Sequence, residues 1–150
     1  MTSKSKNFKE SISVFAVYLW GLGAIFYSYE FGLRTSMNAI SQDMIHILDF
    51  NASEISIIAS IFYWFYVLAQ IPAGISVDKF GPRKVLIVTT FFCMAGAIVF
   101  TFSSHFLFFC IARALMGFAG GFAFVSTLKI ASYWLPDRWF PLFAGLTQFM

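Results

Sequence analysis

Charge is what this chain has least of. Asp, Glu, Lys and Arg make up 11% of its 150 residues, against about 25% in an ordinary soluble domain. Hydrophobic residues make up 59%, and the mean hydropathy is +0.78. A buried core accounts for one apolar helix, but not for four apolar stretches that each approach the roughly 20 residues needed to cross a bilayer. A soluble globule is excluded. Cysteine is scarce as well: Cys93 and Cys110 both fall inside apolar runs, with no CxxC or Cys/His spacing, so no metal site is expected. They read as small hydrophobes in helices. His46 and His105 are isolated, which leaves no catalytic constellation, and nothing calls for a cofactor. The net charge of +3 does not signal nucleic acid, because the basic residues form no patch with interleaved aromatics.

What is present is a series of apolar helices divided by short polar connections. The expected spans are residues 12–40, 54–77, 85–102 and 106–135, with a fifth beginning at 139 and cut off at Met150. The first would measure about 43 Å as a straight helix, so its far end should leave the hydrocarbon. SQDMIHILDFNAS then forms the first loop, with Ser53 as helix N-cap. Pro72 sits inside the second span, which neighbouring helices make tolerable. The N-terminal MTSKSKNFKE precedes a run too long for a signal peptide, with no cleavage-like site after it. Lys4, Lys6 and Lys9, then Lys79, Arg83 and Lys84, and finally Arg138 all fall on one side of the membrane. The positive-inside rule makes that side cytoplasmic, and the N-terminus with it.

The stretch GISVDKFGPRK, residues 74–84, holds four charged residues between two apolar runs. Its order is Gly74, Asp78, Lys79, Gly81, Arg83 and Lys84. A positive-inside loop explains the basic residues but leaves Asp78 and both glycines unexplained. Gly74 permits close approach of another helix. Gly81 permits a tight turn at positive φ, and Pro82 pre-sets the next segment. Asp78 can accept hydrogen bonds from a helix N-terminus or an arginine. The pattern resembles the loop signature of the major facilitator superfamily, G-x-x-x-D-[RK]-x-G-x-[RK]-[RK], at every fixed position. Chance would produce it on the order of once in a million positions. The resemblance implies an all-α membrane fold, of which this chain supplies the N-terminal part: four transmembrane helices plus the start of a fifth. It also implies that the loop is a cytoplasmic latch, closed by contacts with the second half of the transporter.

Two further stretches carry the resemblance. RALMGFAGG places Arg113, Gly117 and Gly121 at four-residue steps on one helix stripe, similar to the family's R-x-x-x-G motif, which is associated with proton coupling in some members. Helix packing plus an arginine on a carbonyl is the other reading of the same residues. YWLPDRWFPLFAG resembles the family's turn before the fifth helix, with Trp139 where a second basic residue often stands. That departure leaves it chiefly a topology marker, with Trp134 and Trp139 suited to the interface.

Ionisable residues inside membrane spans are costly, which makes Glu30, Arg34, Arg113 and Lys129 the functional candidates. Glu30 and Arg34 lie four apart, on one face of the first helix. YSYEFGLRTSMN loosely resembles the first helix of the organic-anion and organophosphate branches, where a Tyr and an Arg face the central cavity. The resemblance implies Arg34 as an anion anchor, since a guanidinium matches carboxylate or phosphate with two hydrogen bonds. Tyr27 would add a hydroxyl and Glu30 a protonatable carboxyl. The competing reading makes Glu30 and Arg34 a structural ion pair near the outer surface. Lys129 is about 160° around the helix from Arg113, so it either snorkels to the headgroups or faces a cavity elsewhere.

The function expected is secondary active transport of a small organic anion, coupled to protons, by alternating access across a bacterial-type inner membrane. Efflux of drugs or metabolites is the alternative within transport, with Phe62, Trp64 and Tyr66 lining an aromatic pocket. A non-transporting receptor or assembly subunit on the same scaffold is the alternative outside it. The expected partners are the substrate, protons, the lipid bilayer and a C-terminal half, without which the chain is expected not to transport.

Overall fold

The computed structural model describes residues 14–149. The expected helix start at Ile12 and the topology markers Lys4, Lys6 and Lys9 lie outside them. Five helices follow one another: α1 (Val14–Leu48), α2 (Ala52–Phe80), α3 (Pro82–Phe102), α4 (Phe106–Trp134) and α5 (Phe140–Phe149). Among the described residues there is no strand. The first four are long and apolar enough to cross a membrane.

The helices run further than the composition suggests. SQDMIHIL does not form a loop; it continues α1 to Leu48, leaving only residues 49–51 as the connection. The reversal is made by Asp49 at φ 56 and by Asn51, not Ser53, as the cap of α2. Asn51 Oδ1 accepts from the Glu54 N–H at 2.9 Å, and Glu54 Oε2 accepts from the Asn51 N–H at 2.9 Å. Two otherwise unpaired donors are thereby satisfied reciprocally. Ser53 loses the role because the capping box needs its acid three residues on, and Glu54 stands at that distance from Asn51.

α4 is the hub. It packs against each of the other four helices, whereas α1 and α3 make few or no contacts with each other. In its most apolar window 61% of residues are buried, against 22 to 28% in the other three spans. The reason is in its small residues: Ala112, Gly117, Ala119, Gly120, Gly121 and Ala123 let neighbours come close on several sides. α2 runs parallel to α4 in register. A Cβ at Gly117 would fall against the carbonyl oxygen of Phe62, and one turn further along both helices a Cβ at Gly121 would lie 2.6 Å from that of Tyr66. α5 is tied to the start of α1 by Trp20 Nε1 donating to Thr147 Oγ1 at 2.9 Å. The large apolar side chains left exposed on α1, α2 and α3, such as Ile25, Leu68 and Phe91, suit a lipid environment or further helices.

Candidate functional site

The buried stripe of α1 runs Gly23, Ala24, Tyr27, Glu30, Met37, which sets Tyr27, Glu30 and Arg34 at helical spacing on the side facing α2 and α4. The Arg34 guanidinium lies among four rings: Phe31 on its own helix at 5.3 Å, and Phe62, Tyr63 and Tyr66 of α2 at 5.9, 5.9 and 4.9 Å. Guanidinium over aromatic faces is an attractive arrangement that still leaves N–H edges available. Tyr66 is midway along α2, and its hydroxyl is within interacting distance of both Arg34 and Tyr27. Tyr27 itself is buried against the ring of Phe124. Its route to Arg34 therefore runs through Tyr66. Of the proposed aromatic lining, Phe62 and Tyr66 face this site, but Trp64 is 69% exposed and turns away.

Glu30 and Arg34 do not form a hydrogen-bonded pair. Glu30 is 1% exposed, and its carboxylate oxygens lack a partner in full hydrogen-bond geometry, the Cys93 thiol being the polar group within reach. Its carboxylate turns toward α4 and α3, where it meets Gly120 and the buried thiol of Cys93. Sequence spacing suggests the pair; the third helix behind it removes the need for one.

Arg113 clamps the backbone that carries Arg34. Its Nη1 donates to the Leu33 carbonyl at 2.8 Å and its Nη2 to the Arg34 carbonyl at 3.4 Å. Its guanidinium carbon also stacks 5.0 Å from the Phe62 ring centre. Gly117, one turn on, brings the Phe62 backbone close enough for that stacking. The carbonyl-paired arginine weighed from sequence is thus what the packing forms, and its target is the substrate-candidate segment itself. Apolar grooves occur elsewhere; one of about 630 Å³ between α1, α3 and α4, lined by Leu22, Leu86, Ile130 and Arg83 among others, contains none of these residues.

The charged stretch at residues 74–84 is mostly helix. Gly74, Asp78 and Lys79 sit in the last two turns of α2, and Arg83 and Lys84 in the first turn of α3. Only Gly81 lies between them, at φ 83 and ψ 151, a conformation essentially restricted to glycine. Pro82 opens α3 at the position where its missing N–H costs nothing. A Cβ at Gly74 would meet nothing within 4 Å, so any close neighbour of that face lies outside the described residues. Lys129 neither snorkels freely nor faces the Arg34 site: its Nζ lies 2.7 Å from Asp78 Oδ1. The parallel register of α2 and α4 brings both to the same end of the bundle. Its ammonium also lies 5.1 Å from the Tyr133 ring centre.

Sequence reasoning missed Tyr63, Cys93 and Gly120. Gly120 was legible only as part of a small-residue run, and the facing of Cys93 toward Glu30 depends on how α3 packs.

Comparison with known proteins bears on the family of the chain. The family model described as Major Facilitator Superfamily matches residues 12–149. A probable sulfoacetate transporter of Cupriavidus necator is 32% identical over 84 residues, covering 56% of this chain and 20% of its own length. A probable galactarate/D-glucarate transporter of Escherichia coli K12 is 30% identical over 113 residues, covering 70% and 25%. A chloroplastic ascorbate transporter of Arabidopsis thaliana is 29% identical over 105 residues, covering 69% and 19%. The chain spans about a fifth to a quarter of the length of these curated relatives. No solved structure gives a significant match. Four membrane-length helices, the signature at Gly74–Lys84 and a family match over nearly the whole chain lead to one assignment: the chain belongs to the Major Facilitator Superfamily.

Proposed function

We propose that this chain is the N-terminal part of a secondary active transporter that carries a small organic anion together with a proton, by alternating access across an inner membrane, with its N-terminus cytoplasmic. The observation that carries the reading is Arg34: a guanidinium midway along the bundle, held among aromatic rings, with no hydrogen bond to the nearby carboxylate. An anion of small size supplies the missing acceptor, and the fork of N–H groups suits carboxylate, sulfonate or phosphate. The names of the relatives, which include organic-anion transporters, support that class.

Glu30 is the proposed proton carrier. When it is ionised, its charge one turn from Arg34 opposes an incoming anion; when it is protonated, that opposition is gone. Proton binding and anion binding then favour each other by the same factor, a coupling that favours their joint carriage. Arg113 is the proposed coupling residue, since it holds the backbone of Arg34 from α4. Gly117 and Gly121 keep α4 close to α2, where Arg113 stacks on the Phe62 ring. Gly74, Asp78, Lys79, Gly81, Arg83 and Lys84 form the proposed cytoplasmic latch, whose other half belongs to the C-terminal part of the transporter.

The test is uptake of radiolabelled sulfoacetate and D-glucarate into proteoliposomes containing the complete transporter, under an inward proton gradient. Arg34→Ala is expected to abolish uptake, and Glu30→Gln to abolish its response to the gradient. Undiminished uptake by Arg34→Ala would overturn the anchor.

A further inference from the structure

Past the turn at Gly81, α2 and α3 separate: each packs chiefly on α4 and little on the other. The separation leaves a groove of about 400 Å³, with Phe80 of α2 and Val88 and Phe92 of α3 as walls and Phe122 of α4 in the floor. The wall side chains stay exposed while Phe122 is buried, so the groove opens outward from the bundle. Lys84, in the first turn of α3, lines the end nearest the turn. From Lys84 to Phe92 the groove follows α3 for about 12 Å, most of the roughly 15 Å depth of one hydrocarbon leaflet.

Positive charge gathers at that same end. The Lys79 ammonium lies 5.4 Å from the centre of the Phe80 ring that forms the α2 wall. Asp78, the acid of this segment, is taken by Lys129 at 2.7 Å, and among the described residues no ion pair engages Lys79 or Lys84. Two ammonium groups therefore stand where an apolar slot reaches the membrane surface. A small soluble anion would use the lysines but not 12 Å of apolar wall, and an uncharged lipid would use the wall but not the lysines. An anionic phospholipid uses both, and basic pockets between membrane helices suit such headgroups. The groove also faces away from the Gly74 side of α2, since Ser76, which lines it, is about 160° around the helix from Gly74. A neighbour packed on Gly74 leaves it open.

We propose that this groove binds an anionic phospholipid, with one acyl chain between α2 and α3 over Phe122 and the phosphate engaged by Lys84 and Lys79. The site is distinct from that of Arg34. It depends neither on the transport reading nor on which side of the membrane the lysines face.

The test is native mass spectrometry of the complete transporter titrated in detergent with dioleoylphosphatidylglycerol or dioleoylphosphatidylcholine, which share chains and differ in headgroup charge. The unaltered protein is expected to bind the glycerol lipid more tightly, and millimolar inorganic phosphate is expected not to displace it. The Lys79→Gln/Lys84→Gln variant is expected to lose about fivefold per lysine, roughly 30-fold in all, for the glycerol lipid and to bind the choline lipid unchanged. Val88→Trp, at a wall position that is 53% exposed, is expected to fold with an unaltered melting temperature and to weaken both lipids by filling the groove. Equal affinity for the two lipids, or unchanged binding in the double lysine variant, would overturn the proposal. Unchanged binding in Val88→Trp would mean that the lysines attract headgroups with no seat for a chain, and displacement by phosphate would mean a simple anion site; either overturns it. Failure of Val88→Trp to fold would place position 88 in a packed seam and overturn it as well.

Discussion

The Arg34 site and the Gly81 hinge are both built on α2, fifteen residues apart at Tyr66 and Gly81, yet they obey different physics. Around Arg34, Glu30 and Arg113 are almost fully buried, so unpaired polar atoms matter and the packing of neighbouring helices sets which groups meet. Around Gly81, Asp78 is exposed and Lys129 partly so, so ionic contacts are weakened by solvent and the geometry depends on one backbone dihedral. The first region is specified by packing, the second by chain conformation. A sequence motif reports the second far better than the first.

Mutations sharpen that contrast in order of expected size. Gly117→Leu is the most severe: its side chain would occupy the space of the Phe62 backbone, separating α2 from α4, and no monodisperse folded protein is expected by size-exclusion chromatography. A folded, active Gly117→Leu protein would refute the seam. Arg113→Lys follows. A lysine ammonium cannot reproduce the fork that spans the Leu33 and Arg34 carbonyls, so the KM for anion uptake is expected to rise roughly 10- to 100-fold, on the basis of one lost hydrogen bond to a charged group. Gly81→Ala forces a non-glycine residue into a glycine-only region and is expected to cost about 1 to 3 kcal/mol, read as a lowered melting temperature.

Lys129→Gln is the mildest. An exposed ion pair contributes little to stability, and whatever it contributes is expected to vanish near 1 M salt, where the Debye length is about 3 Å. Comparing melting temperatures of Lys129→Gln and unaltered protein at low and high salt checks this. A large difference that persists at high salt would place Asp78 and Lys129 in the packed regime instead.

The span count, the glycine turn and the family signature were legible because they are local. Apolar runs of span length, a glycine before a proline and fixed spacings within eleven residues need no knowledge of neighbours. Helix ends were legible less well: α1 absorbed SQDMIHIL because polar residues at the end of a long helix project beyond the apolar slab without breaking helical hydrogen bonds. The ion pair of Lys129 with Asp78 was not legible, since it depends on α2 and α4 being parallel and in contact, with the partners 51 positions apart in the chain. The same holds for Arg113 on the Leu33 carbonyl and for the carboxylate over Gly120. In each case a third helix decides between arrangements that one helix alone leaves open.

The central claim is that Arg34, held by Arg113 and spared by Glu30, receives an anion. Its most direct test is the thermal shift that D-glucarate or sulfoacetate gives to the purified complete transporter, because a ligand that binds the folded state raises its stability by mass action. A concentration-dependent rise in melting temperature is expected for the unaltered protein and none for Arg34→Ala. An equal rise in both proteins would contradict it.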